Sequence, residues 1–380
     1  MRRLQIILLA ALTALATVAQ PLPPDSVLRD MAARVLMVGF TGNTIDDNSP
    51  AAHYVRDLHV GGIILFDIDL TGTAKIGSRN ITSPEQLHRL TSQLHSYAGD
   101  RYRLLIAVDQ EGGRVCRLKT QYGFSPTVSA RYLGTVDNPD TTALYASRIA
   151  RELASMGINV NLAPVIDVHN PLCPPLGKID RCFSADLDVI GRNALITIAR
   201  HADEGVLCVA KHFPGHGNAT ADSHYGLVDV SRTWQPYELE PYRYLIAHKS
   251  LDAVMTAHVY NSNIDPDYPS TLSHKTLTGV LREQLGFEGL IITDDLYMEG
   301  IIDHYDIREA IALALNAGTD ILLAGNNITT GFEADRPDKM IDIIVDLVKS
   351  GTVPYERLLD ANRRIDAIGC KMFICNEKRK

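Results

Sequence analysis

Three stretches of this chain gather side chains able to move protons or hold charge. One is Asp109-Gln110-Glu111-Gly112-Gly113-Arg114-Val115-Cys116-Arg117. Another runs Lys211-His212-Phe213-Pro214-Gly215-His216-Gly217 and continues to Asp222-Ser223-His224. The last is Asp294-Asp295. Several chemistries compete for these residues. Asp222 could orient and support the imidazole of His224, as a carboxylate does in a catalytic triad, or the segment could be a plain polar turn. His212, His216 and His224 with Asp222 are a possible metal set, but Pro214-Gly215 would interrupt the helix that makes His-x-x-x-His a ligand pair. The glycines could instead serve a turn whose histidines bond nearby carbonyls. Asp294 could be a helix N-cap after its strand, although Asp295 is better suited to that role. No serine occupies a nucleophile elbow, which argues against an esterase.

These stretches must be positioned by the elements before them. Short apolar runs recur at Val35–Phe40, Gly61–Phe66, Leu104–Val108, Ile158–Ala163, Val206–Ala210, Ala253–Thr256, Leu290–Thr293 and Ile321–Ala324. Most are continuous rather than alternating, as strands buried on both faces of a parallel sheet require. Amphipathic segments separate them. Asp140–Met156 brings Leu144, Ile149, Leu153 and Met156 near one stripe, closed by Gly157. Asp306–Ala317 stops at Gly318, and Pro337–Ser350 ends at Gly351. Asp109 follows the third run, Asp167 and Arg181 lie in the loop after the fourth, and Lys211 follows the fifth. His258 follows the sixth and Asp294 the seventh. Eight buried strand candidates in βα alternation predict a (β/α)8 TIM-type barrel, and the titratable residues at successive strand ends put its site at the carboxyl ends. The competing doubly wound sheet would need a Gly-rich phosphate turn after the first strand, and Phe40-Thr41-Gly42-Asn43 is not one.

The composition is that of a globular protein: 380 residues, 46% hydrophobic and 22% charged, with net charge −8. That acidity supplies no basic surplus for phosphates, so nucleic acid is not the expected partner. Residues 1–20 read as a secretory signal peptide, with Arg2 and Arg3 ahead of an apolar Leu4–Val18 run and a cleavage site near Ala19. The run is shorter than the roughly 20 apolar residues of a membrane span. The expected product is a single catalytic domain over 21–380 with a short C-terminal tail, periplasmic or secreted, without stable membrane insertion. Export permits disulfides, and Cys173–Cys182 and Cys370–Cys375 are the close pairs among six cysteines. Cys116 and Cys208 read as buried small hydrophobes.

At this point the chain resembles family 3 glycoside hydrolases. Ala210-Lys211-His212-Phe213-Pro214-Gly215-His216-Gly217 with Asp222-Ser223-His224 looks like the signature of their β-N-acetylhexosaminidase branch. Val108–Val115 and Thr293-Asp294-Asp295-Leu296-Tyr297-Met298-Glu299-Gly300 are similar to two further blocks. The resemblance runs from about Asp30 through the last barrel helix. It implies removal of terminal β-linked N-acetylglucosamine with retention, the substrate being a small saccharide or muropeptide. By position, Asp294 would be the nucleophile and His224 the acid/base, assisted by Asp222. Asp109, Arg117, Arg181, Lys211 and His212 would hold the sugar. The Cys173–Ser184 loop around Arg181 departs most from the family pattern. The accessory domain that many members carry is not evident.

Retaining glycosidases ordinarily pair two carboxyl groups. An imidazolium in place of the acid starts nearer neutral pKa and needs no burial to raise it. After protonating the leaving group it is neutral and can activate water. A neutral base also repels an incoming anion less than a carboxylate would, so a phosphorylase on the same scaffold is an alternative. A β-glucosidase of the same family and a non-catalytic carbohydrate-binding protein are others. No cofactor or metal is required by any step, and Gly215 and Gly217 would let the loop bearing His224 move.

Overall fold

The computed structural model describes residues 22–72, 74–222, 226–328 and 331–377. The leader, Ser223 and His224 therefore lie outside the described residues.

Each expected apolar run contributes a strand, and all the strand residues are buried: β1 Leu36–Gly39, β2 Gly62–Ile64, β3 Leu105–Val108, β4 Val160–Asn161, β5 Leu207–Cys208, β6 Ala210–Phe213, β7 Ala253–Thr256, β8 Leu290–Ile292 and β9 Leu322–Ala324. Six of them form a parallel sheet in the order β9-β1-β2-β3-β4-β5, and three form a second in the order β8-β7-β6. Isolated parallel bridges, Ile292↔Ile321 and Val165↔Lys211, touch across the gaps between the two. The fold is thus α/β with parallel sheets; its hydrogen-bonded ladders do not by themselves delineate a closed barrel.

The fifth run departs from expectation. It divides at Val209 into β5, which pairs with β4, and β6, which pairs with β7. Lys211 and His212 therefore sit inside a strand rather than after it, because the chain must pass from one sheet to the other without leaving the core.

Helices flank the strands. α1 (Asp25–Arg34) precedes β1, and α2 (Pro84–Ala98) starts where the Ser83 side chain accepts from Gln86 N. α3 (Pro139–Ser155) is capped by Asn138, whose side chain accepts from Thr141 N. Its buried stripe is Ala146, Ile149, Ala150 and Leu153, and Leu144 is 56% exposed. Leu144 falls off the stripe because five residues turn a helix some 140° past Ile149. α4 (Leu187–Ala202) packs against α3. α5 (Glu240–Ala247) follows β6, and α6 (Ile307–Ala317) runs from the Asp306 cap to Gly318 at φ +113°. α7 (Arg336–Lys349) and α8 (Tyr355–Glu377) complete the layer. Among the described residues no helix is long and apolar enough to cross a membrane.

Cys173 and Cys182 are both buried free thiols, so that bridge is not formed; Cys370 is a free, exposed thiol, and the Cys375 side chain lies outside the description. Cys116 and Cys208 are buried, as their apolar surroundings require.

Candidate active site

The polar site assembles where β2, β3, β4, β6 and β8 end. After β3 the chain makes a tight antiparallel hairpin, Gln110–Gly112 against Val115–Cys116. Gly112 (φ +92°) and Gly113 (φ +63°) occupy its turn, a backbone only glycine enters freely. The Gln110 Oε1 accepts from the backbone N–H of Arg117 (2.9 Å) and Leu118 (3.0 Å), which fixes where Arg117 leaves the chain.

The side chains of this hairpin meet those of β6 in a buried ionic cluster. Lys211 Nζ lies 2.7 Å from Asp109 Oδ1 and 2.9 Å from Glu111 Oε1. Arg181 grips Glu111 with two hydrogen bonds, Nε to Oε2 at 2.8 Å and Nη2 to Oε1 at 2.7 Å, and donates from Nη1 to Pro175 O at 3.0 Å. Arg117 reaches Asp109 more loosely, at 3.4 Å. Burial works to raise the Asp109 carboxyl, but Lys211 and Arg117 outweigh it and hold it low. The same contest at Glu111 is won by Arg181 and Lys211. Burial would lower Lys211, yet Asp109 and Glu111 raise it, so the ammonium stays charged. Among the described residues, Lys211 has two carboxylate partners for its three N–H groups, and the Arg117 Nε has no hydrogen-bond partner. Both groups are buried, and the most exposed side chain of this cluster is Arg117, at 26%.

His212 Nδ1 is 2.7 Å from Asp167 Oδ2, and the same carboxylate accepts from His212 N (3.1 Å) and His216 N (2.7 Å). On the other side of the ring, His212 Nε2 lies 3.4 Å from Arg181 Nη2. Burial works against the Asp167 charge, but His212 and the two backbone donors keep it ionised. His216 is pushed down to about 4, first by burial and then by His212.

The turn that follows explains its glycines by space. A Cβ on Gly217 would stand 2.0 Å from Val168 O, and one on Gly215 would stand 2.7 Å from Glu238 Cβ. Close packing excludes a side chain at both positions, and Gly215 also has a φ of +123° that favours glycine. Asp222 emerges beyond this turn, half-buried.

After β8, Asp294 Oδ1 accepts from Asp295 N at 2.8 Å. Asp295 is not a helix cap. Its carboxylate accepts from Tyr297 N and Gly325 N, both at 3.0 Å, and so ties the end of β8 to the end of β9. Burial, helped by the Asp294 charge, pushes Asp295 up to about 6. His258 supports the same turn from β7, its Nε2 lying 2.9 Å from Asp295 O.

The structure thus brings Asp109, Arg117, Arg181, Lys211 and His212 into one cluster. It adds Glu111 and Asp167, which carry no assigned role in the sequence reading although both lie just past strand ends. Among the described residues no group of three or more His, Cys, Asp or Glu side chains is arranged to hold a metal ion.

Polar residues converging at the carboxyl ends of parallel strands define the ligand face of an α/β enzyme. The profile of the glycosyl hydrolase family 3 N-terminal domain matches residues 27–368. A β-hexosaminidase from Aromatoleum aromaticum is 36% identical over 294 residues, 75% of this chain and 75% of its own. Another, from Shewanella frigidimarina, is 35% identical over 299 residues, 77% of this chain and 82% of its own. Among solved structures, a glycoside hydrolase family 3 β-N-acetylglucosaminidase from Paenibacillus sp. FPU-7 superposes with a TM-score of 0.80 at 32% identity, over 91% of this chain but only 63% of that one. A β-N-acetylhexosaminidase from Beutenbergia cavernae gives 0.79 at 28% identity, over 90% and 98% of the two chains. The chain belongs to glycosyl hydrolase family 3, and it is a glycoside hydrolase.

Proposed function

We propose that this enzyme is a retaining exo-β-N-acetylglucosaminidase on a closed (β/α)8 barrel, exported to work on peptidoglycan fragments. The bridges Ile292↔Ile321 and Val165↔Lys211 support closure, since they occur where a ring of strands would need them. The observation that carries the activity is the ionic cluster of Asp109, Lys211, Glu111 and Arg181, which presents Lys211 and Arg117 donors at the strand ends where Asp294 also emerges. Asp294 attacks the anomeric carbon to form a glycosyl-enzyme. His224, steadied by Asp222, protonates the departing oxygen and then deprotonates the water that releases the sugar. The N–H of Asp295 orients the attacking carboxylate from one side. Asp109, Arg117, Arg181, Lys211 and His212 hold the hydroxyls and the N-acetyl group. Arg181 does so chiefly by fixing Glu111 and Lys211, because most of its own donors are already used. The signal-like residues 1–20 support export, and export favours cell-wall fragments as the source of the sugar.

Trapping with a 5-fluoro-N-acetylglucosaminyl donor, followed by peptide mapping, tests this directly. The label is expected on Asp294, and a label elsewhere overturns the scheme. A chromogenic N-acetyl-β-glucosaminide assayed with and without phosphate is expected to release free sugar in both cases. Product mapping on purified muropeptides tests the natural source.

A further inference from the structure

We propose that Asp67 is a positioning residue that sets the grip of Arg117 on the sugar. The inference rests on the reading of Arg117 as a sugar-binding residue. Asp67 stands just past β2, and β2 pairs in parallel register with β3, which ends at Asp109. The two carboxylates therefore rise side by side from neighbouring strands, with the Arg117 guanidinium between them. Its Nη2 is 3.4 Å from Asp109 Oδ2 and its Nη1 is 3.9 Å from Asp67 Oδ1.

The two oxygens of Asp67 are used unequally. Oδ2 accepts from the Lys119 ammonium and from the Tyr122 hydroxyl, the latter at 3.1 Å. Oδ1 is buried and has no hydrogen-bond partner among the described residues. A buried carboxylate oxygen left unpaired is costly, and since the Lys119 ammonium is engaged at Oδ2, the Arg117 guanidinium 3.9 Å away is drawn toward Oδ1. Arg117 is free to respond: its contact with Asp109 is long, its Nε has no partner, and its guanidinium rests 5.9 Å from the Phe66 ring centroid. When a ring hydroxyl takes up Arg117 donors, the guanidinium closes onto Asp67 Oδ1, and the buried charge holds it there. A purely structural Asp67 would only tether the turn of Lys119 and Tyr122.

The test uses the full chain and a chromogenic N-acetyl-β-glucosaminide. Asp67→Asn is expected to raise KM about tenfold and leave kcat within about twofold, the size of one charge-assisted contact. Arg117→Ala is expected to raise KM at least as far, and the double variant is expected to be no worse than Arg117→Ala alone. Tyr122→Phe, a milder change, is expected to raise KM about twofold in the parent and not at all in the Arg117→Ala background. A loss from Asp67→Asn that multiplies onto Arg117→Ala, a loss confined to kcat, or an unchanged KM overturns the proposal. Should Asp67→Asn fail to fold, equal Tyr122→Phe effects in both backgrounds overturn it. A wild-type KM in Arg117→Ala would instead overturn the sugar-binding role of Arg117 itself.

Discussion

Two buried ionic clusters lie at opposite ends of the strands, and they are finished differently. At the amino end of β9, Asp320 is saturated. Its Oδ2 accepts from Arg282 (2.7 Å) and Ile291 N (2.9 Å), and its Oδ1 from Arg357 (2.6 Å) and Arg364 (3.3 Å). Those arginines come from α8 and from the helix of Lys275–Gln284, so the cluster staples the outer layer to a strand start. The cluster at the carboxyl ends has comparable charge, but one of its carboxylate oxygens, Asp67 Oδ1, has no hydrogen-bond partner among the described residues; an arginine Nε lacks one in both clusters, at Arg117 here and at Arg357 beside Asp320. A carboxylate whose oxygens are both filled, as at Asp320, staples helices to a strand; one with an oxygen unspent, as at Asp67, leaves a neighbouring cation room to shift. Burial alone does not tell these apart, whereas the count of filled carboxylate oxygens does.

The sharpest way to break the comparison is Asp320→Ala. It removes the shared carboxylate of three arginines, of which Arg357 and Arg364 keep Asp360 and Arg282 does not, and is expected to cost about 3–5 kcal/mol of stability, measured by urea unfolding, while kcat/KM per folded molecule stays at the parent value. The converse at the other end is Arg117→Ala, whose side chain is 26% exposed. It is expected to lower kcat/KM about a hundredfold, near 3 kcal/mol, and to shift Tm by only a few degrees. Equal effects of both variants on stability and on activity would erase the distinction drawn here.

Gly217→Ala pushes a methyl into Val168 O and displaces the turn that carries His216 N to Asp167. A loss of about 2 kcal/mol in stability, together with about a tenfold fall in kcat, is expected. The smallest effect belongs to Glu238, beneath the same turn, which burial pushes up to about 7. A carboxyl raised on folding contributes stability that is present below its unfolded pKa and is lost as pH rises through its folded one. Glu238→Gln is therefore expected to match the parent near pH 4.5 and to exceed it by about 1–2 kcal/mol at pH 8. Comparing the two proteins at each pH cancels the opposite trend of His201 and His216, both held near 4 by burial.

Much of this was legible in the residues. Continuous apolar runs marked each strand because a strand covered on both faces needs no polar alternation. Asp109, Lys211 and Asp294 stood out because each follows or ends such a run. The caps at Asp306 and Gly318 were equally plain. Other features were hidden for definite reasons. The division of one run into β5 and β6 depends on which neighbours pair with each half, and that is a non-local fact. Asp295 has the residue type of a helix cap, and only the approach of Gly325 from β9 turns it into a cross-strand tie. Asp67 obeys the same strand-end rule as Asp109, but its ordinary surroundings in sequence gave no motif to point at it. The Cys173 and Cys182 spacing permits a bridge, and burial of each thiol in the core was not visible from that spacing.

By itself, the order of residues determined the elements, their boundaries to within a few positions, and the residue types gathered at strand ends. Those properties rest on local periodicity, turn chemistry and capping, which act over a handful of neighbours. Tertiary structure alone decided which charges neutralise one another, which oxygens stay unspent, and which glycines are forced by contact. Such outcomes depend on distances between segments a hundred residues apart, as between Asp109 and Lys211, and electrostatics in a buried site is settled by those distances.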